Sequence, residues 1–307
     1  MADRGLVRRT IDRAFLETED PTALGLMRIA LVAVMTASML THIGSVAEYF
    51  SDDAWLAGEA ARKAFHSRWS LFFYVTDPWA VRGVFGVGVL AHLAWLVGWR
   101  TPIAAVIAWG VWISMVGRNP LLYSLPDQLH GALALVMMLM PTGHGVSLDA
   151  RRVGPRPVPV WCRRVVQLQI GVVYVATALL KTGKAWRDDG TAIYYTLANP
   201  YNRHFVISGT LAALQPYVLR PMTWAVLVWE FGFGGFVILQ WLRDVAGRPR
   251  RWPDLRWAFL GFGVMMHVGI QVLLYVAWFT PLMVASYASF LRPHEAQWML
   301  GKFRRAR

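Results

Sequence analysis

From Thr22 to Leu291 apolar segments follow one another, and no hydrophilic stretch between them is long enough to fold as a second domain. A helix rising about 1.5 Å per residue needs about 20 apolar residues to cross a hydrocarbon core about 30 Å thick. Eight spans are predicted, at about 22–43, 80–98, 101–117, 127–142, 162–180, 222–242, 257–275 and 277–291. The third, fourth and eighth are short, and the last two are joined almost without a loop. Composition agrees: 56% of the 307 residues are hydrophobic and 16% charged, against about 25% charged in an ordinary soluble domain. The predicted fold is all-α, a polytopic helical membrane protein with about eight transmembrane helices and no soluble domain. Three regions are expected: an amphipathic N-terminal helix within 1–20, a transmembrane domain over 21–292, and a basic tail at 293–307. Within the first, residues 5–17 place Leu6, Ile11, Phe15 and Leu16 for a helix lying on the membrane surface.

A net charge of +13 raises nucleic acid as a partner. The basic residues instead sit in short clusters between the apolar segments, as orientation in a bilayer requires, so nucleic-acid binding is not expected. With both termini inside, 20 lysines and arginines fall on the inner side and 10 on the outer side. That asymmetry predicts cytoplasmic N- and C-termini. Residues 1–20 alternate charges and carry no apolar core with a cleavage site, so the first span is expected to act as the insertion signal. A single cysteine, Cys162, rules out an intrachain disulfide and a cysteine-based zinc site.

Ionisable residues inside spans are costly and mark candidate functional positions. Arg28 lies in the first span, where it can snorkel or pair with Glu230 or a backbone carbonyl. Glu230 sits in the sixth span ahead of Gly232, Gly234 and Gly235, small residues that permit close helix contact, so a protonated Glu230 bonded to a neighbouring helix is expected. His92, His130 and His267 are also intramembrane, but no pair has the i, i+4 spacing of helical zinc ligands, and no metal is expected. Lys181 closes the apolar run Val165–Leu180, with Trp186 five residues later. An ammonium there is either a snorkelling anchor or a base whose proton is made labile by desolvation. The local pattern alone favours the anchor. Two long outer connections, about 44–79 and 181–221, are rich in aromatic residues that suit a membrane interface or the roof of a cavity for a ring-shaped ligand.

Several stretches in order resemble the membrane region of vitamin K-dependent gamma-carboxylase and the bacterial proteins grouped with it as HTTM proteins. They are DPTALGLMRIAL, with Asp20-Pro21 and Arg28; the block from Trp112 through DQLHGALALVMMLMPTGHGVSLDA; VPVWCRRVVQLQIGVVYVATALLKTGKAW, with Gln169, Val173-Tyr174 and the Lys181-to-Trp186 spacing; and the stretch from Glu230 to His267 and on to Phe279. Together they cover about 20–290. In the carboxylase a lysine matching Lys181 deprotonates vitamin K hydroquinone, whose oxidised and strongly basic form then removes a glutamate gamma proton. The resemblance thus implies Lys181 and His267 as catalytic residues. It implies Trp186, Tyr174 and His130 around a cofactor, either reduced vitamin K or another quinol. It also implies residence in a bacterial cytoplasmic membrane.

The pattern departs from the carboxylase in two places. The carboxylase's large lumenal substrate-holding domain has no counterpart within these residues, and Pro126 stands about where the carboxylase carries a histidine, one turn before His130. The expected partners are therefore membrane lipids and quinone, with any peptide substrate arriving laterally or through a separate delivery protein. The leading expectation is a quinol-dependent, carboxylase-like enzyme driving oxidation or carboxylation of a small or peptide substrate. The alternative is a non-catalytic membrane partner in export or maturation of a secreted peptide. A transporter is disfavoured, since no inverted repeat is visible. The orientation is tested by replacing Cys162 and introducing single cysteines at Gly190 and Ala246: membrane-impermeant reagents should label the first from outside and the second only from the cytoplasmic side. Labelling of both from one side would overturn the topology.

Overall fold

The computed structural model describes residues 11–56, 58–205, 208–246 and 254–305. Among these, six helical stretches are long and apolar enough to cross a membrane: Thr22–Leu40, Pro78–Val97, Thr101–Arg118, Trp161–Leu180, Thr210–Val245 and Arg256–Leu273. The chain is an all-α integral membrane protein. Its principal helices are α1 (Thr22–Leu40), α2 (Pro78–Val97), α3 (Thr101–Arg118), α4 (Leu125–Met138), α5 (Trp161–Leu180), α6 (Arg220–Ala246), α7 (Arg256–Leu273), α8 (Phe279–Ser286) and α9 (Pro293–Arg305).

Two of the eight predicted spans are shorter than a bilayer crossing. For 127–142 the helix is α4, with 14 residues, and for 277–291 it is α8, with 8 residues followed by a tighter turn at Tyr287–Phe290. Local chemistry sets their limits. A reciprocal capping box between Ser124 and Asp127 starts α4, and Pro141 disfavours helical geometry at the residue before it. Ala277, with φ of 47°, breaks the chain just ahead of α8. By contrast α2 has strong signals at both ends. Asp77 accepts hydrogen bonds from the Trp79 and Ala80 amides, Pro78 supplies the first turn, and Gly98 closes the helix in the left-handed region.

Internal contacts divide the chain into two units, Thr18–Cys162 with Leu291–Arg307, and Met1–Glu17 with Arg163–Phe290. In the first, α1 packs on α2, α2 on α3, α3 on α4, and α9 on α1. The segment expected as a basic tail is thus helical as far as Arg305. Gly88 lets α2 approach its neighbours, since a Cβ there would lie 2.6 Å from Val111 and 2.9 Å from Met39. Around that contact Phe50, Phe72, Phe85, Trp112 and Met115 form an apolar core. A two-residue strand β1 (Thr18–Glu19) pairs antiparallel with β2 (Val158–Pro159).

Arg28, fully buried on α1, donates to the Thr142 carbonyl at 2.8 Å and the Val146 carbonyl at 2.7 Å. Of its expected alternatives, the backbone-carbonyl pairing is the one observed. It clasps the loop after α4, and Gly25 makes that closeness possible, since a Cβ there would lie 2.3 Å from the Gly145 carbonyl oxygen. The same loop ends at Asp149, which accepts the Arg100 and Thr101 amides at 2.9 Å and the Thr101 hydroxyl at 2.5 Å. It thereby satisfies donors at the start of α3 that have no partner within the helix.

In the second unit α5, α6, α7 and α8 surround an aromatic core in which Phe236 stacks on Phe259 at 4.7 Å and on Phe290 at 5.4 Å. Arg163 and Gln167 of α5 both donate to the Ser289 carbonyl, at 2.9 Å and 2.8 Å. The helix expected over 5–17 lies outside the described residues as far as residue 10. Of the remainder, Asp12–Leu16 makes a single wide helical turn, with Phe15 edge-on to Trp241 at 5.9 Å.

Partial burial would raise the Asp149 pKa, but the hydrogen bonds from Thr101 and Arg100 and the charge of Arg28 outweigh it and hold the carboxyl below its ordinary value. A carboxyl whose pKa is depressed on folding contributes stability above its unfolded pKa of about 3.9 and loses it as pH falls through the lower folded value. Thermal melts of the detergent-solubilised protein across that acid range should show a stability loss that Asp149→Asn reduces. An unchanged acid dependence in the variant would remove Asp149 from this role.

Candidate functional site

At the C-terminal end of α5 the helical hydrogen-bond pattern runs one residue further, with the Lys181 amide donating to the Thr177 carbonyl at 3.2 Å. The chain then turns through Gly183 into a short helix, Lys184–Arg187. That turn carries Trp186 back, so that its ring centroid is 4.8 Å from Lys181 Nζ, within cation–π range. Arg187 Nε donates to the Lys181 carbonyl at 3.1 Å and secures the same turn. From α6, Glu230 offers both carboxylate oxygens: Nζ lies 2.5 Å from Oε2 and donates to Oε1 as well. The Glu230 side chain is 8% exposed and that of Lys181 20%.

Glycines bring the two helices close enough for this pair. A Cβ at Gly234 would lie 2.7 Å from Val175, and one at Gly171 would lie 3.5 Å from Val237. Small residues at such crossings let helix backbones approach. The ammonium and carboxylate have both surrendered most of their water, so removing one partner strands the other, at a cost of several kcal/mol for a fully buried pair and less here because Lys181 keeps some solvent access.

Two turns before Lys181, on the same face of α5, Tyr174 anchors a second polar group. Its hydroxyl lies 2.7 Å from His267 Nε2 on α7 and 2.5 Å from the Tyr287 hydroxyl beyond α8. Trp229 and Phe233, one turn apart on α6, press on the Tyr174 ring with centroids 4.6 Å away. Glu230 follows Trp229 directly, so one turn of α6 serves both groups. The His267 carbonyl accepts from the Thr280 hydroxyl at 3.0 Å, and its ring meets Phe279 edge-on at 5.3 Å. Whichever way the hydroxyl protons point, His267 Nδ1 is left over. It is a donor if Tyr174 donates to Nε2, and an acceptor if Nε2 carries the proton. Among the described residues Nδ1 has no hydrogen-bond partner, although the side chain is buried.

Of the five residues expected at the site, Lys181, Trp186, Tyr174 and His267 belong to one unit and are linked through α5 and α6. His130 belongs to the other unit, where it stacks on Trp112 at 3.8 Å and meets His92 edge-on at 5.8 Å. The sequence marks Glu230 as a costly intramembrane carboxylate without joining it to Lys181, and it does not mark Tyr287. The signal for Glu230 was present in its charge and its glycine-rich flank. Tyr287 carried none, being one aromatic residue in an apolar segment. Among the described residues no group of three or more His, Cys, Asp or Glu is placed to hold a metal ion.

The HTTM domain family model matches residues 16–298, and the chain belongs to that family. HTTM domains are associated with vitamin K-dependent carboxylase-like membrane proteins. Neither the curated proteins nor the solved structures contain a match to the chain.

The Tyr174 cluster depends on Gly263 of α7, where a Cβ would lie 2.3 Å from the Tyr287 hydroxyl and 2.8 Å from the Trp229 ring. Gly263→Ala should therefore destabilise by about 1–3 kcal/mol, as overpacking does. Gly261→Ala, two residues away with open space at its Cβ, should be neutral or slightly stabilising because Ala is the better helix former. Thermal melts of the two variants that coincide would show that the cluster is not tightly packed.

Proposed function

We propose that this HTTM-family membrane protein is an enzyme related in chemistry to vitamin K-dependent gamma-carboxylase. Lys181 serves as a base toward reduced vitamin K or another membrane quinol, and the outcome is oxidation or carboxylation of a small or peptide substrate. The observation that carries this reading is the setting of Lys181. It lies at the exit of an apolar helix, one-fifth exposed, against a carboxylate and an indole face, and the same helix carries Tyr174, whose hydroxyl meets His267 of α7. A bound quinol supplies an acidic ring hydroxyl and reducing electrons. The residues suit such a group. Lys181 Nζ can take a hydroxyl proton once it is neutral, His267 Nδ1 is a buried polar atom left over for a ligand, and Trp186 offers a flat apolar face.

A general base must reach the proton it removes and must be able to lose its own near working pH. Lys can do so, whereas Arg stays charged at any accessible pH. Tyr174, its hydroxyl itself held by Tyr287, bonds the His267 ring, as partner groups orient other imidazoles. The proposed setting is a bacterial cytoplasmic membrane with both termini cytoplasmic and Lys181 at the outer face, so that quinol enters from the bilayer and a peptide arrives laterally or on a delivery protein. A non-catalytic role in peptide export or maturation is the second reading, and the Lys181–Glu230 clasp is the observation that favours it, because the same pair would serve as a purely structural tie.

Lys181→Arg separates the two. Arg keeps the charge and the contact with Glu230, so a structural tie should survive with little loss. A base should lose turnover by about 100-fold or more, with the melting temperature preserved. Purified protein in nanodiscs, supplied with vitamin K1 hydroquinone, provides the assay, and wild type should also melt higher with this ligand through mass action. Near-normal turnover in Lys181→Arg would sink the base assignment.

A further inference from the structure

The hydrogen bonding around Lys181 raises a difficulty for a base. Nζ contacts both Glu230 oxygens and faces the Trp186 ring, the arrangement of an ammonium donating its protons. An ammonium has no lone pair with which to accept another. Before Lys181 can act it must give a proton away, and the acceptors that the described structure places at Nζ are the two oxygens of Glu230. Tyr174 does not compete, because its hydroxyl is engaged by His267 and Tyr287. Of the other charged groups on the following segment, Lys184 and Arg187 are cations and cannot receive it, and Asp188 and Asp189 are carboxylates, but the hydrogen bonds that Nζ makes among the described residues go to Glu230.

We propose that Glu230 is the terminal acceptor of the proton that Lys181 withdraws, so that the two residues work as one proton-moving pair. This rests on the reading of Lys181 as a base. The N–H bond of Lys181 breaks as an O–H bond forms on Glu230, leaving a neutral amine beside a neutral carboxylic acid. The amine lone pair then takes the proton of an acidic ring hydroxyl and becomes an ammonium again. In sum one proton moves from the hydroxyl to Glu230, no electrons are transferred, and Lys181 ends as it began.

Charge balance is the physical reason for such a device. The pair starts as one cation facing one anion. Were the proton lost to Lys181 alone while Glu230 stayed ionised, a new anion would arise beside an existing one in a medium that screens poorly, where like charges repel strongly. With Glu230 neutralised, the new anion takes over its place opposite the ammonium and the net charge never changes. A membrane-soluble substrate with an acidic ring hydroxyl thus meets a site that can accept its proton without gathering charge. The assignment makes Glu230→Gln a more severe lesion than loss of a tie.

The test uses full-length protein in nanodiscs, compared as wild type, Glu230→Gln, Glu230→Asp and the exchange Lys181→Glu with Glu230→Lys. Infrared difference spectra on adding vitamin K1 hydroquinone without oxygen should show the carbonyl stretch of a newly protonated carboxyl in wild type and not in Glu230→Gln. Turnover should fall about 100-fold or more in Glu230→Gln, and Glu230→Asp, which keeps a carboxylate, should recover part of it. The exchange variant should melt near wild type, since the pair is restored, yet stay inactive because the amine now stands on α6. A structural tie would instead leave folded Glu230→Gln near wild-type turnover. That outcome, or the carboxyl band persisting in Glu230→Gln, overturns the proposal while leaving Lys181 as a base, whereas near-wild-type turnover in the exchange variant would remove Lys181 as the base and the proposal with it. If wild type neither binds nor turns over the hydroquinone, the quinol reading fails and this proposal falls with it.

Discussion

Water is absent from the hydrocarbon interior, so a buried polar group there must find its partner within the protein. Three of the described charges in or at the ends of apolar helices show how that demand shapes local structure. Arg28 reaches two carbonyls of the loop after α4, Arg118 reaches the carbonyls of Ser51 and Leu56, and Lys181 reaches a carboxylate on α6. The first two end on backbone oxygens and fasten loops to helices. Lys181 ends on an ionisable side chain, and the proposed proton-moving role rests on that contact.

Such contacts are possible only where helix backbones come close. Gly88, Gly234 and Gly263 each stand where a Cβ would collide with a neighbouring side chain. In the unit that carries Lys181, Gly234 brings α5 and α6 together, and Gly263 leaves room for Trp229 and the Tyr287 hydroxyl. In lipid, helices gain little from burying apolar surface against one another, and close van der Waals fit with interhelical hydrogen bonds has to supply the association. The Lys181–Glu230 and Tyr174–His267 bonds therefore belong both to the fold and to the candidate site. Variants there have to be judged on stability and function together.

The difference between lysine and arginine follows from the same geometry. Both satisfy Glu230, and both can lie along an apolar surface with the charge at its edge. Lysine alone can pass through a neutral state, and it needs somewhere to put the proton when it does. In the proposed pair Glu230, already in contact with Nζ, fills that place. The candidate site thus uses few parts: one amine, one carboxylate, an indole face and a tyrosine–histidine pair whose remaining nitrogen has no partner among the described residues.

The thickness of the bilayer wrote much of this architecture into the sequence. A required length of about 20 apolar residues makes spans readable without tertiary information, and α1, α2, α3, α5, α6 and α7 fall where the apolar segments predict them. Lys181 was conspicuous for the same reason, as the first charge after a long apolar run. Length alone could not decide α4 and α8, whose ends depend on capping at Ser124 and on the left-handed Ala277. Nor could it pair Lys181 with Glu230, 49 residues away, or draw Tyr287 to Tyr174 across 113 residues. Those contacts depend on how each helix is rotated and how closely its glycines let it approach. Rotation and approach arise from packing between segments, so the tertiary structure alone decided which of the costly polar residues meet.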